Sequence, residues 1–134
     1  MLNHKGTQAE FQFAVECAKR NWVVSSPFND VAPYDFIIDT GETLKKVQIK
    51  GTFQEYRKRK GSYMVGASRS TRSGLRINYD EKEVDLMALY VEPKGVWYII
   101  PTGELGSTTV SVWPDKSTCN FRKYMNAWDL MDNG

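Results

Sequence analysis

Near the start of the chain Phe11, Ala14, Val15 and Ala18 recur at i, i+3, i+4 and i+7, the stripe of an amphipathic helix. The spacing predicts a helix from Thr7 to about Arg20, opened by a Thr7-x-x-Glu10 capping box. Trp22 to Ser26 then reads as a first strand, Pro27 to Pro33 as a loop, and Tyr34 to Lys50 as a β-hairpin. Gly41-Glu42 suits a two-residue loop with Gly at its first central position. Thr40 then faces Thr43, cross-strand partners sum to 83, and Asp35 sits opposite Gln48. Alternation puts Asp35, Gln48 and Lys50 on one face and Tyr34, Phe36, Val47 and Ile49 on the other, apolar one.

Farther on, Ser62 to Ser68 reads as a third long strand and Arg69 to Asn78 as an exposed connection rich in Ser, Arg and Gly. Tyr79 to Val84 suits a short helix capped by Asp80. Asp85 to Val91 is apolar enough for a strand buried on both faces. Lys94-Gly95 turns the chain into a partner strand from Val96 to Ile100, ended by Pro101, and Thr108 to Trp113 makes another short strand. Phe121 to Met131 reads as a closing helix with Tyr124, Trp128 and Met131 on one stripe. This order predicts an α/β fold, a three-layer-like sandwich with a central mixed β-sheet flanked by helices.

Length narrows this to one domain: 134 residues, 41% hydrophobic, support one core and not two. The expected organisation is a single domain over 1–134, with 57–76 as a basic segment and 115–134 as a C-terminal helical extension. No run approaches the roughly 20 apolar residues of a membrane span, and the start Met1-Leu2-Asn3-His4-Lys5 lacks the apolar centre of a secretory signal. A cytoplasmic protein is expected. Cys17 and Cys119 have no metal-type spacing and read first as reduced thiols, with a disulfide between them as the lesser reading. With His4 the single histidine, a histidine-based triad or a zinc site is not expected. Carboxylates, lysine and a hard metal are the remaining catalytic equipment.

Charge adds a partner. Arg57, Lys58, Arg59, Lys60, Arg69, Arg72 and Arg76 put +7 into residues 57–76 without one acid, leaving −5 for the rest of a chain of net charge +2. Such a segment suits phosphate contact, which is salt-sensitive and independent of base sequence. Its bland counterpart is a solvated loop and a charge-protected strand edge. Ser26, ending the first strand, offers another phosphate hydrogen bond, although turn chemistry before Pro27 explains it equally well.

An acid, an amide and a lysine on one hairpin face can hold a divalent metal beside a phosphate. Glu10 has two readings: the third residue of a capping box, or an acid at the edge of the buried stripe, with Phe13, Ala14 and Cys17 at i+3, i+4 and i+7, looking toward that metal. Asp85 is either another acid facing the site or a residue with a local hydrogen bond, the second being favoured. Tyr79, Trp97 and Trp113 are read as core rather than as base-stacking groups.

The order Gly6-x-x-x-Glu10, Tyr34-Asp35 and Gln48-Ile49-Lys50 on the following strand resembles the PD-(D/E)XK nuclease superfamily, in its QXK variant. Within it the chain is similar to archaeal-type Holliday junction resolvases and to a cyanobacterial intron-encoded homing endonuclease. The resemblance covers roughly residues 5 to 100 and implies a restriction-endonuclease-like core. It implies Glu10, Asp35 and Gln48 as metal ligands with the Ile49 backbone carbonyl, Lys50 as the catalytic lysine, Mg2+ as cofactor with Mn2+ able to substitute, and DNA as substrate. Gln48, where most members carry an acid, leaves the number of metals open. The first expectation is a homodimeric Holliday junction resolvase, on the ground that no separate base-reading element is evident. The alternatives are a homing endonuclease cutting duplex DNA and a DNA-binding module with a degenerate nuclease site.

Overall fold

Five strands form the central sheet in the order β1 (Val23–Ser25), β2 (Phe36–Asp39), β3 (Leu44–Thr52), β7 (Leu86–Val91) and β8 (Val96–Pro101) of a computed structural model that describes residues 4–29 and 31–133. The first three residues of the chain start read above, Asp30 of the predicted loop and Gly134 lie outside the described residues. The β3 and β7 strands pair parallel and the other neighbours antiparallel, so the sheet is mixed, as expected. The hairpin has the predicted register: Phe36↔Val47 and Asp39↔Leu44 both sum to 83, and Thr40 N–H donates to the Thr43 carbonyl at 3.1 Å. All six residues of β7 are buried, which fits an apolar strand covered on both faces.

One face is covered by the helix α1 (Lys5–Lys19). It starts before Thr7: the Gln8 N–H donates to the His4 carbonyl at 2.8 Å and no side chain caps the N-terminus, so the predicted capping box does not form. The buried stripe also differs from the predicted one. Ala9, Phe13 and Cys17 face the sheet, whereas Phe11 and Val15 are 68% and 50% exposed. Both sets have helical spacing, and packing chooses between them. Phe13 enters an aromatic nest with ring centroids 5.5 Å from Trp97 and 5.7 Å from Trp128, and the small Ala9 lets the helix lie close. A Cβ on Gly51 of β3 would stand 3.3 Å from the Ala9 Cβ and 3.2 Å from the Phe53 ring.

The opposite face carries a second cluster, with Met87, Leu89 and Val91 of β7 under a two-stranded ribbon of β4 (Tyr63–Gly66) and β9 (Thr109–Val112). The predicted strand over 62–68 thus divides, β4 pairing with β9 and β5 (Ser68–Ser70) with β6 (Arg76–Asn78). The segment 79–84 is a turn rather than a helix: Asp80 accepts the Lys82, Glu83 and Val84 N–H groups through its side chain and carbonyl. The predicted helix over 121–131 is two short 3-10 turns, Arg122–Tyr124 and Trp128–Met131. Between them Met125 bridges Tyr98, and Asn126, at φ 53°, exchanges hydrogen bonds with Trp97. The chain rounds the β8 edge there: Tyr124 joins the second cluster, and Trp128 and Met131 the first. A straight helix cannot reach both faces.

Among the described residues no helix is long and apolar enough to cross a membrane. Both cysteines are free, and burial pushes the Cys17 thiol up to about 12.

Candidate active site

The ladder between β2 and β3 stops at Phe36↔Val47, while β3 runs on to Thr52. From Gln48 onward, β3 therefore has an edge that β2 does not use. Asp35 fills it. Its N–H donates to the carbonyl of Val47 at 3.0 Å, although Val47 already faces Phe36, so two residues oppose one as in a β-bulge. Its carboxylate accepts the Ile49 N–H, also at 3.0 Å. The bulge breaks the simple alternation read from the sequence: Tyr34 packs with the second cluster and Phe36 with the first.

Asp35 thereby faces charges from two other elements. Burial holds its carboxyl above the ordinary value, and the Ile49 N–H and the Lys50 charge pull it back only in part. Glu10, half-buried on α1, is raised too, first by burial and then by the Asp35 charge. Without a capping box, Glu10 loses its structural explanation, while its nearness to Asp35 remains. Two carboxylates whose ionisation burial opposes, the Asp35 charge adding to the cost at Glu10, make a site that favours a bound cation.

The donors suit a hard divalent cation: two carboxylates, the Gln48 amide oxygen and the Ile49 carbonyl, all oxygen. Among the described residues no group of three or more His, Cys, Asp or Glu is placed to hold a metal ion. The Gln48 amide nitrogen stands 3.5 Å from the Ile49 carbonyl oxygen. A half-turn about the soft terminal torsion of Gln48 presents its oxygen instead.

A cleft of about 290 Å³ is lined by Asp35, Gln48, Arg69, Tyr79 and the loop residues 31–33, while Glu10, Ile49 and Lys50 are not among its lining residues. Arg69 brings the basic segment into the site itself, and the Lys50 ammonium lies 5.5 Å from the centroid of the Tyr79 ring. Tyr79, read from the sequence as core, does pack against the second cluster and also lines this cleft. Trp97 is core as expected. Asp85 accepts the Lys46 N–H at 2.8 Å and returns its own N–H to the Lys46 carbonyl, so its partner lies on β3 and not in the local turn that the sequence favoured.

The remaining cations lie farther along the surface. Arg57, Lys58, Arg59 and Lys60 occupy an exposed turn before β4, and Arg72 and Arg76 the exposed β5–β6 ribbon. Among the described residues the ion pairs are Lys19–Glu16, Arg20–Glu16 and Lys94–Asp115, none of which touches 57–76. Ser26 is exposed just past β1 and does not line the cleft.

A family model described as PD-(D/E)XK endonuclease matches residues 2–131. No match was found among curated proteins. Among solved structures the chain is similar to the bacterial homing endonuclease I-Ssp6803I, with a TM-score of 0.80 and 24% identity over 96% of this chain and 90% of that one. It is also similar to Hjc, a Holliday junction resolvase from the archaeal hyperthermophile Archaeoglobus fulgidus, with a TM-score of 0.51 and 16% identity over 81% and 83%. At these identities the likeness is one of fold.

Proposed function

The chain belongs to the PD-(D/E)XK endonuclease family, and from that premise we propose that it is a divalent-metal-dependent DNA endonuclease working through Glu10, Asp35, Gln48 and Lys50. The observation that carries this reading is the Asp35 carboxylate on the free edge of β3, fixed by the Ile49 N–H and coupled by charge to Glu10 and Lys50.

Glu10, Asp35, the Gln48 amide oxygen and the Ile49 carbonyl would hold the ion, with Mg2+ the first choice and Mn2+ its substitute. Bound there, it supplies Lewis-acid polarisation of the scissile phosphate and a more acidic water. The rest is the work of side chains. Asp35, held by a backbone hydrogen bond, fixes the direction of the acidic edge. Lys50 donates hydrogen bonds to a phosphate oxygen as negative charge grows in the transition state. Arg69, in the same cleft, orients the DNA backbone as a planar, permanently charged donor. The turn of Arg57 to Lys60 extends the phosphate track.

The expectation of junction resolution rested on the absence of a reading element. The β5–β6 ribbon supports a different substrate, since it is two-stranded and basic, its β6 strand is exposed, and β5 carries Arg69 into the cleft. A two-stranded ribbon fits the major groove of B-form DNA. We therefore favour cutting of linear duplex with a sequence preference, by a homodimer that presents two sites about a two-fold axis. The test is incubation with a random-sequence duplex library and with four-way junctions of unrelated sequence, in Mg2+ or EDTA. Mg2+-dependent cuts at a restricted set of duplex sequences are expected. Equal cutting of all junctions with linear duplex intact would reverse the choice, and binding without any cutting would leave a DNA-binding module.

A further inference from the structure

The proposed chemistry needs the Lys50 ammonium in one place, yet a lysine on a strand has a long flexible stem. We infer that Tyr79 is a positioning residue whose ring holds the Lys50 ammonium at the cleft. This deepens the function proposed above, because it presupposes that Lys50 acts on the scissile phosphate.

Four observations converge on it. The ammonium lies 5.5 Å from the ring centroid, within the roughly 6 Å at which a cation is attracted to an aromatic face. Tyr79 lines the same cleft as Asp35 and Gln48, so the ring borders the site. The ring is itself braced, half-buried against the cluster of Met87, Leu89 and their neighbours. Lys50 pairs with Leu89 in the parallel register of β3 and β7, which puts the stem of the lysine beside that cluster. The Lys50 head is thus attracted toward Asp35 on one side and toward the Tyr79 ring on the other.

Placement along the chain gives the contact a second consequence. Tyr79 follows β6 directly, and Ile77 of β6 pairs with Arg69 of β5. The ribbon that we place on DNA therefore ends in the residue that steadies the lysine, and it carries the arginine that shares the cleft. DNA bound along the ribbon fixes both at once.

The test compares Tyr79→Leu, which keeps apolar packing without a ring, with Tyr79→Phe, which keeps the ring without the hydroxyl. Under saturating DNA, Tyr79→Leu is expected to lower the cleavage rate about tenfold with DNA affinity unchanged, and Tyr79→Phe to restore it. In a Lys50→Ala background Tyr79→Leu should cost nothing further. A loss of equal size in both backgrounds, a loss in DNA affinity, or failure of Tyr79→Phe to restore the rate would overturn the proposal. Should Tyr79→Leu fail to fold, Tyr79→Met serves the same comparison. An independent readout is the upfield ring-current shift of the Lys50 ε-methylene protons by NMR in DNA-free protein, expected in the parent and Tyr79→Phe and lost in Tyr79→Leu. If the parent cuts no DNA, the function proposed above fails, and this shift alone decides whether the ring holds the lysine.

Discussion

The Asp35 carboxylate accepts the Ile49 backbone N–H at 3.0 Å, on the stretch of β3 that β2 leaves unpaired. A side chain thus replaces a ladder partner, and the replacement fixes a carboxylate whose ionisation burial opposes. Where a fold holds a group against its own solvation preference, stability and function pull in opposite directions.

That conflict gives the first prediction. A carboxyl with a raised folded pKa binds its proton more tightly in the folded state. Its stabilising contribution is present below the ordinary carboxylate pKa and is lost as pH rises through the raised value. Glu10 and Asp35 are both raised, so metal-free protein loses stability through them as the pH rises from the ordinary carboxylate range through their raised values. Asp35→Asn keeps an oxygen for the Ile49 N–H and removes the charge. Its melting temperature in EDTA at neutral pH should rise by roughly 2–5 °C while cleavage disappears; a fall would count against the electrostatic reading.

Lys50 separates catalysis from binding. Lys50→Ala should lower the cleavage rate on the order of 10²–10³-fold and leave DNA affinity, measured by fluorescence anisotropy, nearly unchanged. An equal loss in affinity would make Lys50 one more phosphate contact.

The ribbon is tested by salt. Arg72→Ala and Arg76→Ala should each flatten the dependence of DNA affinity on salt by about one unit of slope if they meet phosphates. If one of them meets a base edge, it should instead cost about 1–3 kcal/mol at a single target position. No effect of either kind would remove the ribbon from the interface.

Phe13 tests the framework that carries Glu10. It is fully buried between Trp97 and Trp128, and Phe13→Ala should cost about 3–5 kcal/mol in denaturant unfolding. Phe11→Ala, on the exposed side, should stay within about 0.5 kcal/mol.

Local patterns announced much of this. Gly41-Glu42 set the hairpin register, because a two-residue loop leaves one pairing open, and the register placed Asp35 near the Gln48-Ile49-Lys50 strand. The buried side of α1 was not legible, because two helical stripes overlap and the aromatic pocket for Phe13 is built by Trp97 and Trp128, far along the chain. The C-terminal helix was misread for the same kind of reason: Tyr124 and Trp128 share a helical stripe but pack on opposite faces of the sheet. Tyr79 was hidden because the cleft it lines is made of four separate segments.

The most direct measurement of the central claim is nicking of supercoiled plasmid by the parent and by Asp35→Ala, each in Mg2+ and in EDTA, with folding checked by circular dichroism. Nicking by the parent in Mg2+ alone, and none by folded Asp35→Ala, is the predicted result. Persistent nicking by Asp35→Ala, or nicking by the parent in EDTA, would contradict it.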